Sequence, residues 1–179
     1  MNSTLGLPQD PVTSVNNLAM SVAQLYGLGA RTILMPNLPD LGKTPAVLGT
    51  SDAAGATAVT LFFNALLAGA IPTLESALPG LDIIPFDTFD AFNDVLANLG
   101  AFGLTNSTDP CSFTAGCDPS QFVLWDLDHP TAAVHRILGD LFFVAAVPEP
   151  GTLTLLALAL AGVVWLRRSK AAGRVGLEI

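Results

Sequence analysis

Positive charge is scarce in this chain: 7 Lys and Arg stand against 15 Asp and Glu in 179 residues, for a formal net charge of −8. Such a balance is a poor match for the polyanionic backbone of nucleic acid, and nucleic-acid binding is set aside. Cysteine is limited to Cys111 and Cys117, and histidine to His129 and His135. Two cysteines alone cannot build a structural zinc site, and neither a metal-ligand cluster nor a phosphate-binding glycine loop occurs. No cofactor is therefore expected. Met1 to Pro11 lacks both the positive start and the apolar stretch of a signal peptide.

What charge there is lies unevenly. Residues 1–147 hold thirteen Asp and Glu against Arg31, Lys43 and Arg136, whereas the rest holds Glu149 and Glu178 against Arg167, Arg168, Lys170 and Arg174. Between these, Thr152 to Leu166 carries no charge. At about 1.5 Å per residue it spans roughly 22 Å, short of the roughly 30 Å hydrocarbon core. Val147 and Gly151 can lengthen it and Arg167 and Arg168 can snorkel, which makes it a marginal transmembrane helix. The basic cluster after it should stay cytoplasmic and leave the body outside. The other reading is a buried C-terminal core helix, against which the run is apolar on all faces.

Cys111 and Cys117 sit six positions apart in a segment rich in Ser, Thr, Asp, Gly and Pro. Outside the cytoplasm they could close a small disulfide loop, or they could be two free thiols; spacing does not give their geometry.

Val15, Leu18, Ala19, Val22, Leu25 and Tyr26 recur at helical spacing, with Gly27 and Gly29 as stops, so a helix is expected over 12–28. Thr32 to Met35 reads as a buried strand, followed by a turn-rich loop through Pro45. A second helix is expected from about Asp52 to Ala70, a strand at Leu81 to Phe86, and a third helix at Thr88 to Leu99. After the cysteine segment, Phe122 to Trp125 reads as a short strand, with Pro130 opening a helix that runs to about Phe143. This alternation predicts an α/β fold: a mostly parallel sheet covered by helices, with functional groups at the carboxyl ends of the strands.

Where the last expected strand turns into a helix, Asp126 and His129 stand three residues apart. A serine hydrolase needs an imidazole held in one tautomer by a carboxylate, so that its other nitrogen can take the serine proton and return it to the leaving group. The bare Asp-x-x-His tetrad is frequent by chance. By itself it reads first as acidic residues favouring a helix start, with His129 capping it.

The flanks carry more. Leu124-Trp125-Asp126-Leu127-Asp128-His129-Pro130-Thr131-Ala132-Ala133-Val134-His135 resembles the last block of the GDSL, or SGNH, lipases and esterases. Tyr26 to Pro45, with Asn37-Leu38-Pro39-Asp40-Leu41-Gly42-Lys43-Thr44-Pro45 at its end, and Leu81 to Phe86 are similar to earlier segments of that family in the same order. The resemblance implies a partial flavodoxin-like SGNH-hydrolase fold over residues 1–146, with Asp126 as orienter and His129 as general base acting on an ester. The family's Gly-Asp-Ser nucleophile block is absent from this sequence, and so are its oxyanion-hole blocks. Ser51 in Gly49-Thr50-Ser51-Asp52 is the nearest imitation, and it follows a long loop rather than opening a helix. Asn37 and Asp40 read as turn formers rather than ligands, and His135 as a packing or surface residue.

The tail has its own likeness. Val147-Pro148-Glu149-Pro150-Gly151, then the apolar run, then Arg167-Arg168, resembles a PEP-CTERM sorting signal, covering residues 147–179. That implies export in a Gram-negative bacterium, processing by an exosortase, and residence at the inner membrane or cell surface. Because export needs a leader, the natural N-terminus is expected upstream of Met1; otherwise the tail alone would insert the chain. The expectation is an N-terminally truncated and inactive ester hydrolase, so whether the chain is an enzyme stays open. The alternatives are a non-catalytic, membrane-anchored envelope protein on a hydrolase scaffold, or a chain completed by a Ser-bearing partner segment.

Overall fold

In a computed structural model, residues 10–147, Leu156 and residues 158–164 are described. The chain divides into two compact units, Met1–Ala146 and Val147–Ile179. In the second, Leu156 and residues 158–164 are helical with exposed side chains; the rest of the expected membrane helix, the Pro-Glu-Pro and the basic cluster lie outside the described residues.

In the first unit, helix α1 (Pro11–Gly27) begins where Asp10 accepts a hydrogen bond from the Val12 N–H at 3.0 Å and Pro11 supplies a preset φ. It buries Val15 and Val22, two turns apart on one face. Strand β1 (Thr32–Pro36) pairs in parallel with β2 (Asp82–Phe86), in register Thr32↔Asp82 through Pro36↔Phe86. Parallel neighbours require a long crossover, which α2 (Ala53–Ala77) provides. A helix under β1 and β2 must bury one stripe, and α2 does so with Ala56, Thr60, Phe63 and Leu67. Phe63 and Leu67 join Val15, Val22, Met35, Leu81 and Ile83 in one hydrophobic cluster. Among the described residues α2 is the one helix long and apolar enough to cross a membrane, a composition that core helices share.

α2 extends past the expected end near Ala70 and carries Pro72 inside it. Proline removes one helical hydrogen bond. The last turns are nonetheless held by Ile71, Leu74 and Leu78 packing on the cluster, and by the Glu75 carboxylate accepting the Ile83 N–H at 2.9 Å.

Helix α3 (Thr88–Ala97) follows β2 directly and α4 (Ala132–Ala146) closes the unit. They share a second cluster: Phe92 and Val95 from α3, Val134 and Leu138 from α4, with Leu104, Val123 and Leu124 between them.

Two expectations need correction here. Phe122 to Trp125 is not a strand of the sheet, which among the described residues pairs β1 with β2; it makes isolated bridges, Asn106↔Phe122 and Leu124↔Pro130. The reason lies in its backbone partners, which come from three separate segments rather than from one neighbouring ladder. The Val123 N–H donates to Asn106 O at 2.8 Å, while Val123 O accepts from Thr131 N at 3.0 Å, Leu124 O from Cys111 N at 3.0 Å and Trp125 O from Ser112 N at 2.8 Å. Nor does Pro130 open α4, which starts at Ala132. Thr131 stands at its N-terminus instead, with its carbonyl accepting from His135 N at 2.9 Å and its hydroxyl from Val134 N at 3.4 Å.

Candidate active site

The bend from Trp125 to His129 is closed by its own backbone: the Trp125 N–H donates to His129 O at 2.7 Å. That closure turns the Asp126 carboxylate inward over the following amides. Its Oδ1 accepts from the Asp128 N–H at 3.0 Å and the His129 N–H at 2.8 Å. Both carboxylate oxygens also lie 3.0 Å from His129 Nδ1. Asp126 and His129, the two residues expected to work together, are thus in direct contact.

The backbone hydrogen bond from Asp128 holds the Asp126 carboxyl below the usual carboxylate range, against the opposing effect of partial burial; the His129 N–H and ring add to the lowering. Asp128 moves the other way, raised first by burial and then by the negative charge of Asp126 beside it. Two acids two residues apart are driven in opposite directions by a bend that turns one toward donors and the other toward the protein.

A carboxylate facing Nδ1 favours the tautomer with its proton on that nitrogen and leaves the Nε2 lone pair free. The His129 side chain is 77% exposed and that of Asp126 37%. Among the described residues Nε2 has no hydrogen-bond partner, so the arrangement is an oriented imidazole facing solvent with a vacant acceptor. It can take a proton from an alcohol or water.

Three segments hold this bend in place. On one side Ala46 N donates to Leu127 O at 3.1 Å, from the loop after Leu41–Lys43. On another lies the three-residue turn Cys111–Phe113, whose Cys111 is disulfide-bonded to Cys117, Cα to Cα 5.4 Å. Behind it, Thr131, only 1% exposed, donates its hydroxyl to Phe122 O at 2.7 Å. Sequence reasoning missed Thr131, although a threonine just before an apolar helical run is a recognisable cap signal. The anchoring by Cys111 and Ser112 amides had no sequence signal, since backbone donors are common to all residues.

The remaining candidates stand elsewhere. Ser51 lies in the turn before α2 and has no hydrogen bond to His129. His135 is exposed on α4 with no side-chain hydrogen bond among the described residues. Asn37 follows β1 and accepts from Thr88 N at 2.7 Å and Phe89 N at 3.1 Å, while its amide donates to Asp87 at 3.1 Å. Asp40, buried, accepts from Gly42 N at 3.1 Å and Thr57 at 2.6 Å. Both are occupied in loop structure. Among the described residues no group of three His, Cys, Asp or Glu side chains is gathered to hold a metal ion.

Comparison with known proteins bears on both units. Residues 146–168 match the PEP-CTERM protein-sorting motif, which marks export and sorting in Gram-negative bacteria. The chain is 30% identical to an uncharacterized protein in the trpE-trpG intergenic region of Pseudomonas putida over 165 residues, 83% of this chain and 27% of that protein. It is 28% identical to GDSL esterase/lipase 7 of Arabidopsis thaliana over 145 residues, 69% of this chain and 40% of the relative. It is 30% identical to the Arabidopsis thaliana GDSL esterase/lipase At5g63170 over 128 residues, 65% of this chain and 37% of the relative. The chain therefore spans well under half the length of these relatives. An α/β body with an acid and an imidazole in contact, similar in sequence over about two thirds of the chain to GDSL esterases/lipases of Arabidopsis thaliana, is followed by a match to the PEP-CTERM protein-sorting motif.

Proposed function

We propose that the first unit is the acid–base half of a GDSL-type ester hydrolase on a partial SGNH scaffold. In this reading His129 is the general base and Asp126 its orienter. The observation that carries it is the contact of both Asp126 oxygens with His129 Nδ1 at 3.0 Å, on an imidazole whose opposite nitrogen is unpartnered among the described residues. The mechanism runs through that nitrogen. Nε2 accepts the proton of the attacking hydroxyl, the imidazolium is stabilised by the Asp126 charge, and the proton passes to the departing alkoxide.

Among the described residues no hydroxyl or thiol side chain is hydrogen-bonded to the His129 ring. The sequence holds no Gly-Asp-Ser, and electrostatic stabilisation of the oxyanion is usually the largest contribution. We propose accordingly that the 179-residue chain alone hydrolyses esters slowly, with a base contribution on the order of 10² to 10⁴ at most. The Val147–Ile179 unit is the exosortase-processed signal, which holds the protein in the inner membrane, with the body outside the cytoplasm, until processing passes it to the cell surface.

Aryl-ester hydrolysis by the chain, beside His129→Ala and Asp126→Asn, tests the assignment. The expected result is a slow rate that both substitutions lower. Turnover typical of an intact esterase and abolished by His129→Ala would put the nucleophile among these residues. A rate indifferent to both substitutions would favour the second reading, a non-catalytic membrane-anchored envelope protein.

A further inference from the structure

The residues that fix the bend before Asp126 are themselves tied down by a covalent bond. Cys111 N and Ser112 N donate to the carbonyls of Leu124 and Trp125, the two residues immediately preceding Asp126. These donors belong to the turn Cys111–Phe113, in a segment with no other regular structure before Phe122. What else holds the turn is local: Phe113 N to Pro110 O at 3.2 Å, Thr114 N to Cys111 O at 3.0 Å and Cys117 N to Thr114 O at 3.2 Å. Such bonds in an exposed Ser-, Thr- and Gly-containing segment compete with water and are weak alone. The disulfide closes them into one ring. Its Cys111 end is 3% exposed, whereas Cys117 is half-buried and within reach of a reductant.

We propose that the Cys111–Cys117 disulfide positions the Asp126–His129 pair, and that the pair is fully organised only once the chain has entered an oxidising compartment. This rests on the reading of His129 as base and Asp126 as its orienter. Closure joins two sulfur atoms, breaks two S–H bonds and passes two electrons and two protons to a disulfide-bearing oxidant, which becomes a dithiol. In the cytoplasm the thiols are kept reduced. There the turn loses its ring, the Leu124 and Trp125 carbonyls lose fixed donors, and the bend that points Asp126 at Nδ1 loosens. The sorting motif at 146–168 takes the protein out of that compartment. Export then switches on the acid–base pair.

The test is the tautomer of the His129 ring, read from its ¹⁵N chemical shifts in the whole chain, with His135 as the reference ring. Reduction by dithiothreitol, or the Cys111→Ser/Cys117→Ser double substitution, should lower the ratio of Nδ1–H to Nε2–H at His129 by roughly 2- to 10-fold. His135 and the amide protection of β1 and β2 should not change. Ser112→Pro keeps the disulfide but removes the donor to Trp125 O, and should produce a shift in the same direction. An identical His129 ratio in the oxidised, reduced and Ser112→Pro proteins overturns the proposal, including where the double variant does not fold. Asp126→Asn in the oxidised protein separates this from its premise. If that substitution leaves the ratio unchanged, the base–orienter pair itself is gone; if it shifts the ratio while reduction does not, only the disulfide's role is lost.

Discussion

At residue scale the Asp126 carboxylate has two sets of partners, two backbone amides of its own bend and the Nδ1 of a neighbouring ring. The first set is structural and predicts a stability effect. Asp126→Ala should cost about 1 kcal/mol in urea unfolding at neutral pH, the range for losing a side-chain acceptor of backbone N–H groups in partly exposed structure. The pH dependence has a definite sign. The folded-state pKa of Asp126 is depressed below its unfolded value, so its contribution is present above the unfolded value, near 4, and is lost as pH falls through the lower folded one. The difference between wild type and Asp126→Ala should therefore shrink below about pH 4. Asp128 behaves oppositely, because burial and the Asp126 charge raise its pKa. Its charged form opposes folding, so Asp128→Asn should leave stability unchanged or increase it by a few tenths of a kcal/mol, most visibly above pH 5. A clear loss of stability on that substitution would show that the Asp128 carboxylate has a partner that matters more than its burial.

At the scale of elements, the connection that locates the site is not a strand but a set of cross-links between loops and helix ends. Asn37 is one: it lies after β1 and its side chain accepts two amides at the start of α3, which follows β2. Asn37→Ala should cost about 1–3 kcal/mol, because those two amides lose their side-chain acceptor. Thermal unfolding measures it. Thr131 is another, bonding Phe122 and capping α4 from a fully buried position; Thr131→Val keeps the volume and should still cost about 1–2 kcal/mol. The helices α1 and α3 were legible in the sequence because their apolar residues repeat at the helical period over ten or more residues. β1 and β2 were legible as apolar runs between turn residues. α2 was underestimated because Pro72 reads locally as a stop, while the packing of Leu74 and Leu78 that carries the helix past it is long-range. Phe122 to Trp125 has the composition of a strand, and Val123 and Leu124 are buried, but among the described residues no neighbouring strand is there to pair with it. Composition reports the apolar environment and not the hydrogen-bond partner.

For the molecule as a whole, the same limit applied to function. The Asp126–His129 contact follows from a spacing visible in the sequence; the fixing of that bend by Cys111, Ser112 and Ala46 comes from segments up to eighty residues away, through backbone atoms that carry no residue signature. The tail was legible outright, since Pro-Glu-Pro, apolar run and basic cluster occur in order, and residues 146–168 match the sorting motif. A chain ending at Val147 should accordingly be released from the membrane fraction of a Gram-negative host carrying an exosortase, while the whole chain stays with the envelope; equal distribution of the two would remove the anchoring role proposed for the tail.

The Phe86 and Phe142 rings meet edge to face, with centroids 4.6 Å apart, where β2 touches α4. Phe86 ends the strand built into the α1–α2 cluster, and Phe142 packs on the α3–α4 cluster. An aromatic pair of this kind is worth roughly 0.5–1.5 kcal/mol beyond its buried area. Placed at that seam, it bears on cooperativity: together with the Asn37 contacts to α3 and the Ala46–Leu127 bond it couples two small nuclei, and Phe142→Ala should lower the amide protection of α4 more than that of β1.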